Sequence, residues 1–188
     1  VSTHEDLDHP QLDMGRVIIT SKGQSAKGLA MKYNNQNREG NAYVKMYDAL
    51  GGRDFIERSM AALEEMYGKP TDTFYILGEL FGKGVQDLHY NAPPSFRVFD
   101  VYLGKPGEGR YMNVQERLYF CDKVHALSVP SLYRGPYSAA VLEEYTNGKE
   151  TVSGAGVHMR EGVVLRMEYE VPHITNLGRL ILKSVSTD

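Results

Sequence analysis

The sequence has little cysteine, because Cys121 is the only one among its 188 residues. A lone cysteine excludes an intramolecular disulfide and indicates a reducing compartment, the cytoplasm. We expect Cys121 to lie on a helix as a small buried apolar side chain rather than as a reactive thiol.

The sequence also lacks a long apolar run. No stretch is long enough to span a bilayer. The first ten residues are acidic and carry histidines, whereas a signal peptide has a basic start and an apolar middle. These absences predict a protein without membrane partners.

An excess of positive charge is missing as well. The formal net charge is -3 and the isoelectric point lies near 6.1, which argues against binding nucleic acid through bulk charge alone. Nucleic acid is not excluded, since Lys and Arg can be concentrated in one groove. Some basic residues either line a path for a nucleic-acid backbone or, as is more common, are solvated charges. They are Lys32, Arg38, Lys45, Arg53 and Arg58.

What is present suits one domain over residues 1–188. Hydrophobic residues make up 41% of the chain, enough for a sizeable core. There is no repeat at solenoid spacing and no low-complexity tract. The turn-rich stretch at residues 105–109 is too short to be a linker.

Hydrophobic periodicity places helices and strands along the chain. Ile56, Met60, Leu63 and Tyr67 recur at helical spacing and predict a helix over residues 54–67. The pattern also predicts helices over residues 41–50, over residues 114–124, and from a capping Ser138 to residues 147–148; strands over residues 16–20, 74–81, 96–103, 162–169 and 178–185; and a loop over residues 21–28. Because helices and strands are interspersed without regular alternation, we expect an α+β fold with antiparallel sheets flanked by helices.

Residues 78–86 (GELFGKGVQ) come at the end of an apolar strand. Glu79 stands there among three glycines. A carboxylate in this position can accept hydrogen bonds from a sugar or a base that approaches the backbone closely. The alternative is a solvated Glu in a glycine-rich turn.

Residues 96–102 (FRVFDVY) are predicted to form a strand with two different faces. Alternation places Phe96, Val98 and Asp100 on one face and Arg97, Phe99 and Val101 on the other. Phe99 either stacks on a purine base or packs in the core, and core packing is the commoner role of an aromatic side chain in a strand.

Residues 158–166 (HMREGVVLR) and 180–186 (LILKSVS) each place a charge in an apolar strand. Glu161 enters a β-branched strand, where a buried carboxylate is costly unless it is paired or bound to a metal. The alternative is an exposed Glu-Gly turn before the strand. Lys183 directs its ammonium at an anion or a carboxylate, or it lies on the open face or the edge of a sheet.

These four segments, in this order, resemble the covalent nucleotidyltransferase superfamily, which includes ATP-dependent DNA and RNA ligases and mRNA-capping enzymes. Residues 78–86 followed by 96–102, together with the pairing of EGVVLR with LKSVS, look most like the RNA ligase branch. The resemblance covers residues 16–186 and implies the fold of an ATP-grasp-like adenylation domain.

The resemblance also implies a role for each site residue. Glu79 would contact the ribose of ATP and Phe99 would stack on adenine. Glu161 would bind Mg²⁺ or Mn²⁺. Lys183 would contact the ATP phosphates, and Lys22 would help to bind the nucleotide phosphate. The catalytic residues would then be Lys183, Glu161 and Lys22.

The activity that the resemblance implies is ATP-dependent RNA ligation in RNA repair. Such an enzyme joins 5′-phosphate and 3′-hydroxyl ends through lysyl-AMP and adenylylated RNA, and its substrate would be nicked or broken RNA or an RNA/DNA hybrid. The family's nucleophile motif, Lys-x-[Asp or His]-Gly, is not found in this sequence, because Lys22-Gly23 and Lys27-Gly28 have the wrong spacing. We therefore expect an N-terminal segment, or another polypeptide, to supply the lysine.

Other functions remain open at the level of sequence. A related DNA ligase or capping enzyme, or a nucleotide- or RNA-binding remnant without catalysis, would share these segments. Residues 3–9 (THEDLDH) resemble the metal motif of metallo-β-lactamase-like hydrolases. That fold places an apolar strand before the motif and further ligands after it, so we expect a polar loop here.

Overall fold

The computed structural model describes residues 17–85, 92–153, 156–170 and 179–187. The chain divides into two compact units, residues 1–61 and 62–188, and the division falls within one helix. The histidine-rich stretch at residues 3–9, Arg16, Gln86 and Gly178 lie outside the described residues.

The first unit is helical where it is described. It contains α1 (Lys22–Ser25), α2 (Asn35–Gly40), α3 (Ala42–Ala49) and the start of α4 (Arg53–Tyr67). The side chains of Ser21, Asn34 and Asn41 cap the first three helices by accepting backbone amide hydrogen bonds. The structure confirms the helices predicted from residues 41 and 54, whereas α2 was not predicted.

The strand predicted over residues 16–20 is wrong for its described part. Residues 17–20 belong to no strand, although Met31 N donates a hydrogen bond to Ile19 O at 2.8 Å. A single bond of this kind does not make a ladder. The loop predicted over residues 21–28 contains the one-turn helix α1, because the Ser21 hydroxyl satisfies the Gln24 amide.

The second unit contains two antiparallel sheets. In one, β1 (Phe74–Phe81) pairs with β2 (Ser95–Leu103), which pairs with β3 (Arg110–Tyr111). The other is a hairpin of β4 (Gly162–Arg166) and β5 (Ile181–Val185). Helices α5 (Val114–Val124) and α6 (Ala139–Thr146) lie between them in sequence. The α+β class with antiparallel pairing is confirmed.

The ends of the two helices agree with local chemistry. Asn113 and Glu116 form a reciprocal capping box at the start of α5, and His125 ends the helix in the left-handed region at φ 57°. Ser138 caps α6 and Asn147 ends it. Both helices therefore begin and end within one residue of the prediction.

The core of the second unit lies between α5 and the three-stranded sheet. Cys121 is buried there on α5, and burial raises the pKa of its thiol to about 11, which keeps it protonated and unreactive. None of the described helices is long and apolar enough to cross a membrane. Fully buried side chains of this core are Leu63, Val98, Val101, Met112, Phe120 and Val124.

Candidate functional site

A β-bulge in β2 turns Phe99 out of the sheet. Leu77 pairs with Asp100 and the next residue, Gly78, pairs with Val98, so Phe99 faces no residue of β1. Its side chain is 37% exposed, whereas Val98 and Asp100 on either side are buried. Bulges commonly re-aim a side chain beside a functional site. The predicted uniform alternation along β2 is wrong because the bulge shifts the pairing by one residue.

Gly78, next to the bulge, is required by the packing of Phe96. A Cβ atom on Gly78 would lie 2.2 Å from Cζ of Phe96 and 2.6 Å from the carbonyl oxygen of Arg97. The glycine thus lets an aromatic ring lie directly on the backbone of β1, one residue before Glu79.

Three of the predicted site residues come together in the second unit. Burial raises the pKa of Glu79, the negative charge of Glu161 raises it further, and the positive charge of Lys183 opposes both. Nζ of Lys183 lies 3.9 Å from Oε2 of Glu161. A carboxylate at the end of β1, one before β4 and an ammonium on β5 therefore share one electrostatic environment.

Glu161 lies outside its strand rather than inside it. Its side chain is 62% exposed and β4 begins at Gly162. The expectation of a buried strand is wrong here, because Val164 is 61% exposed. Lys183 pairs with Val164 and is 60% exposed, which corresponds to the open face of a sheet. Both charges are therefore accessible to a ligand.

The end of α6 holds β5 in place beside Lys183. The hydroxyl oxygens of Thr146 and Ser184 lie 2.7 Å apart, and the Ser186 hydroxyl donates to Oδ1 of Asn147 at 3.1 Å. The amide of Ser186 donates to the carbonyl of Glu161 at 2.8 Å. The charged side chains thus project from a backbone that is fixed on both strands.

A buried ionic cluster links the hairpin to the three-stranded sheet, and sequence reasoning missed it. Asp100 on β2 is 6% exposed and accepts hydrogen bonds from Arg166 at 3.0 Å and from Arg179 at 2.8 and 3.1 Å. Both arginines also bind Glu170. The sequence does contain a signal that could have predicted this cluster. It is an aspartate flanked by apolar residues in a strand, since a buried carboxylate needs a partner.

The donor set suits a metal ion that is shared with a phosphate ligand. In the part of the chain that the structure describes, no group of three or more His, Cys, Asp or Glu side chains could hold a metal. Mg²⁺ commonly takes one or two carboxylates and completes its shell with phosphate oxygens and water. The exposed Glu161, with Glu79 in the same environment, fits that pattern.

Lys22 belongs to the first unit. It is exposed and is the first residue of α1. Its role in phosphate binding stays a prediction.

The chain matches a known protein family. The model of the RNA ligase family matches residues 8–185. The chain belongs to the RNA ligase family. The matched range includes all five predicted site residues: Lys22, Glu79, Phe99, Glu161 and Lys183.

A solved RNA ligase has a similar fold. It is a lysine-to-alanine mutant of the Naegleria gruberi RNA ligase with ATP and Mn, with a TM-score of 0.52 and 16% sequence identity. The match covers 78% of this chain and 39% of that one, so the chain spans about two fifths of the length of this relative. A comparison with curated proteins finds no match.

Proposed function

We propose that this chain provides the ATP pocket of an ATP-dependent RNA ligase. The observation that carries the proposal is the shared environment of Glu79, Glu161 and Lys183 in a chain of the RNA ligase family. The bulge that exposes Phe99 on the strand paired with Glu79 supports it.

Each side chain has a chemical task in this pocket. Glu79 accepts hydrogen bonds from the ribose hydroxyls, and the exposed ring of Phe99 stacks on adenine. Lys183 binds the phosphates as a compact positive charge. Lys22 also binds phosphate. Glu161 holds a magnesium or manganese ion on those phosphates.

Charge stabilisation is the main contribution of such a pocket to nucleotidyl transfer. A bound metal would neutralise charge on the phosphate oxygens. Lys183 stabilises the same oxygens from the protein side, and the ion pair with Glu161 holds its ammonium near them before ATP arrives.

The substrate that we propose is nicked or broken RNA, or an RNA/DNA hybrid, which the ligase seals between a 5′-phosphate and a 3′-hydroxyl. The balanced net charge of -3 means that RNA contacts must come from local basic residues. The single buried cysteine supports a cytoplasmic location.

Metal-dependent ATP binding tests the proposal on the chain as it is. We expect calorimetry to give a lower dissociation constant for ATP in Mg²⁺ than in EDTA. Glu161→Gln should abolish that gain, because the variant lacks the carboxylate that would hold the metal. Glu144→Gln, at an exposed glutamate of α6, is the matched control and should keep the gain. Failure to bind ATP, or a gain that survives Glu161→Gln, would refute the assignment.

A further inference from the structure

Arg97 lies on β2, two residues before Phe99. It is the direct cross-strand partner of Glu79 in the β1–β2 register. Its guanidinium donates two hydrogen bonds to backbone carbonyls, from Nη1 to Ser128 O at 3.1 Å and from Nη2 to Val152 O at 2.9 Å. The planar guanidinium can join two acceptors in a fixed geometry, which a lysine ammonium on its flexible stem cannot do.

Val152 lies in the stretch of chain that precedes Glu161. Residues 148–150 pair with residues 158–160 through two backbone hydrogen bonds of 2.9 and 3.0 Å. We call residues 148–153 and 156–160 the anchor hairpin. The anchor hairpin therefore fixes the chain immediately before Glu161, whereas Ser186 holds the carbonyl of Glu161 itself.

A buried carboxylate keeps the anchor hairpin in one conformation. Glu150 is 5% exposed and accepts hydrogen bonds from the amides of Ser153 at 2.9 Å and Val157 at 3.2 Å. The Ser153 hydroxyl donates to it as well. These bonds offset the cost of burying the charge, and they make the anchor hairpin a defined body that Arg97 can hold.

We propose that Arg97 is a positioning residue that sets the separation between Glu79 and Glu161. Through Val152 O it fastens the anchor hairpin, and with it Glu161, to the strand that faces Glu79. The inference rests on the proposed function, in which Glu79 binds the ribose and Glu161 binds the metal. Without Arg97, ATP still contacts β1 and β2, but Glu161 no longer lies where the phosphates and a metal require it.

Arg97→Lys tests this role through the metal dependence of ATP binding. Calorimetry in EDTA should give the wild-type dissociation constant, because Glu79 and Phe99 remain in place. The gain in affinity on adding Mg²⁺ should fall by about tenfold or disappear, the scale for losing a partner that orients a metal-binding residue. A general packing defect would instead weaken both measurements.

Arg117→Lys is the matched control. Nη1 of Arg117 donates to Val98 O at 3.1 Å and to Oγ of Ser128 at 2.7 Å. Arg117, like Arg97, thus donates a hydrogen bond to Ser128. Neither of these two bonds of Arg117 reaches the anchor hairpin. We expect this variant to keep the full Mg²⁺ gain even where its stability falls.

Glu150→Gln tests the same contacts by a change inside the anchor hairpin rather than at Arg97. The uncharged amide is a weaker acceptor for these donors, so amide hydrogen exchange at Ser153 and Val157 should accelerate and the Mg²⁺ gain should fall as in Arg97→Lys. The positioning role alone is overturned if Arg97→Lys keeps the wild-type Mg²⁺ gain. It is also overturned if Arg117→Lys loses as much of that gain as Arg97→Lys does. A wild-type chain without any Mg²⁺ gain overturns the proposed function, and the inference with it.

Discussion

At the scale of single residues, the position of Phe99 in a bulge supports its proposed role in stacking on adenine. A phenylalanine inside a regular half-buried strand normally packs in the core. The bulge removes the cross-strand neighbour of Phe99 and leaves its ring 37% exposed, between two buried residues. The ring is thus accessible to a base, as the proposed stacking requires.

Phe99→Ala should therefore weaken ATP binding and cost less stability than the loss of a fully buried phenylalanine. The expected loss is about 1–3 kcal/mol, the range for removing an aromatic side chain on which a base stacks. Calorimetry with ATP and urea unfolding measure the two quantities. Tyr75→Ala removes another exposed ring from the same sheet and should leave ATP affinity intact. If Phe99→Ala lowers stability while ATP binding is unchanged, Phe99 is a core residue after all.

At the scale of elements, helix ends and strand cores were predictable because their signals are local. The Ser138 cap, the apolar run at residues 74–81 and the helical spacing over residues 54–67 correspond to α6, β1 and α4. The bulge at Phe99 was not predictable, since it depends on which residue of β1 lies opposite. The exposure of Val164 likewise depends on what packs against the hairpin.

The site was predictable as a set of residues but not as an arrangement. Motif order indicated Glu79, Glu161 and Lys183, and the structure brings these three together. Arg97 gave no functional signal, because its two hydrogen bonds reach carbonyls 31 and 55 residues away in sequence. Such contacts depend on the tertiary fold rather than on spacing.

The anchor hairpin should depend on pH through Glu150. Burial opposes ionisation of this carboxyl group, but hydrogen bonds from Ser153, Val157 and Val152 outweigh it and lower its pKa to about 2, from an ordinary value of 4.5. A group whose pKa is lowered in the folded state stabilises that state above its unfolded pKa. This stabilisation is lost as the pH falls from 4.5 towards 2.

A comparison of wild type with Glu150→Gln isolates this effect. The difference in their free energies of unfolding should be largest above pH 4.5 and should shrink between pH 4.5 and 2. Urea titrations across that range measure it, and other carboxylates with lowered pKa values, such as Glu116 and Glu168, cancel because both proteins have them. A difference that is constant with pH would mean that the charge of Glu150 is not what holds the turn.

At the scale of the whole second unit, two sheets carry the site and a buried ionic cluster joins them. Glu79 and Phe99 lie on the three-stranded sheet, whereas Lys183 lies on the hairpin that Glu161 precedes. Asp100 on the first sheet binds Arg166 on the second, at side-chain exposures of 9% and 15%. A buried charge that loses its partner is left uncompensated, which costs far more than the same loss at the surface.

Asp100→Asn should destabilise the protein, because Arg166 and Arg179 lose the more buried of their two carboxylate partners and keep only Glu170. The cost should stay below about 3–5 kcal/mol, the cost of a buried charge left with no partner. Glu65→Gln removes the partner of Lys123 in an exposed pair and should cost much less, because solvent screens that pair. Urea unfolding of both variants gives the comparison. Equal costs would show that the cluster does not hold the sheets together, whereas a larger cost at Asp100 would show that it does.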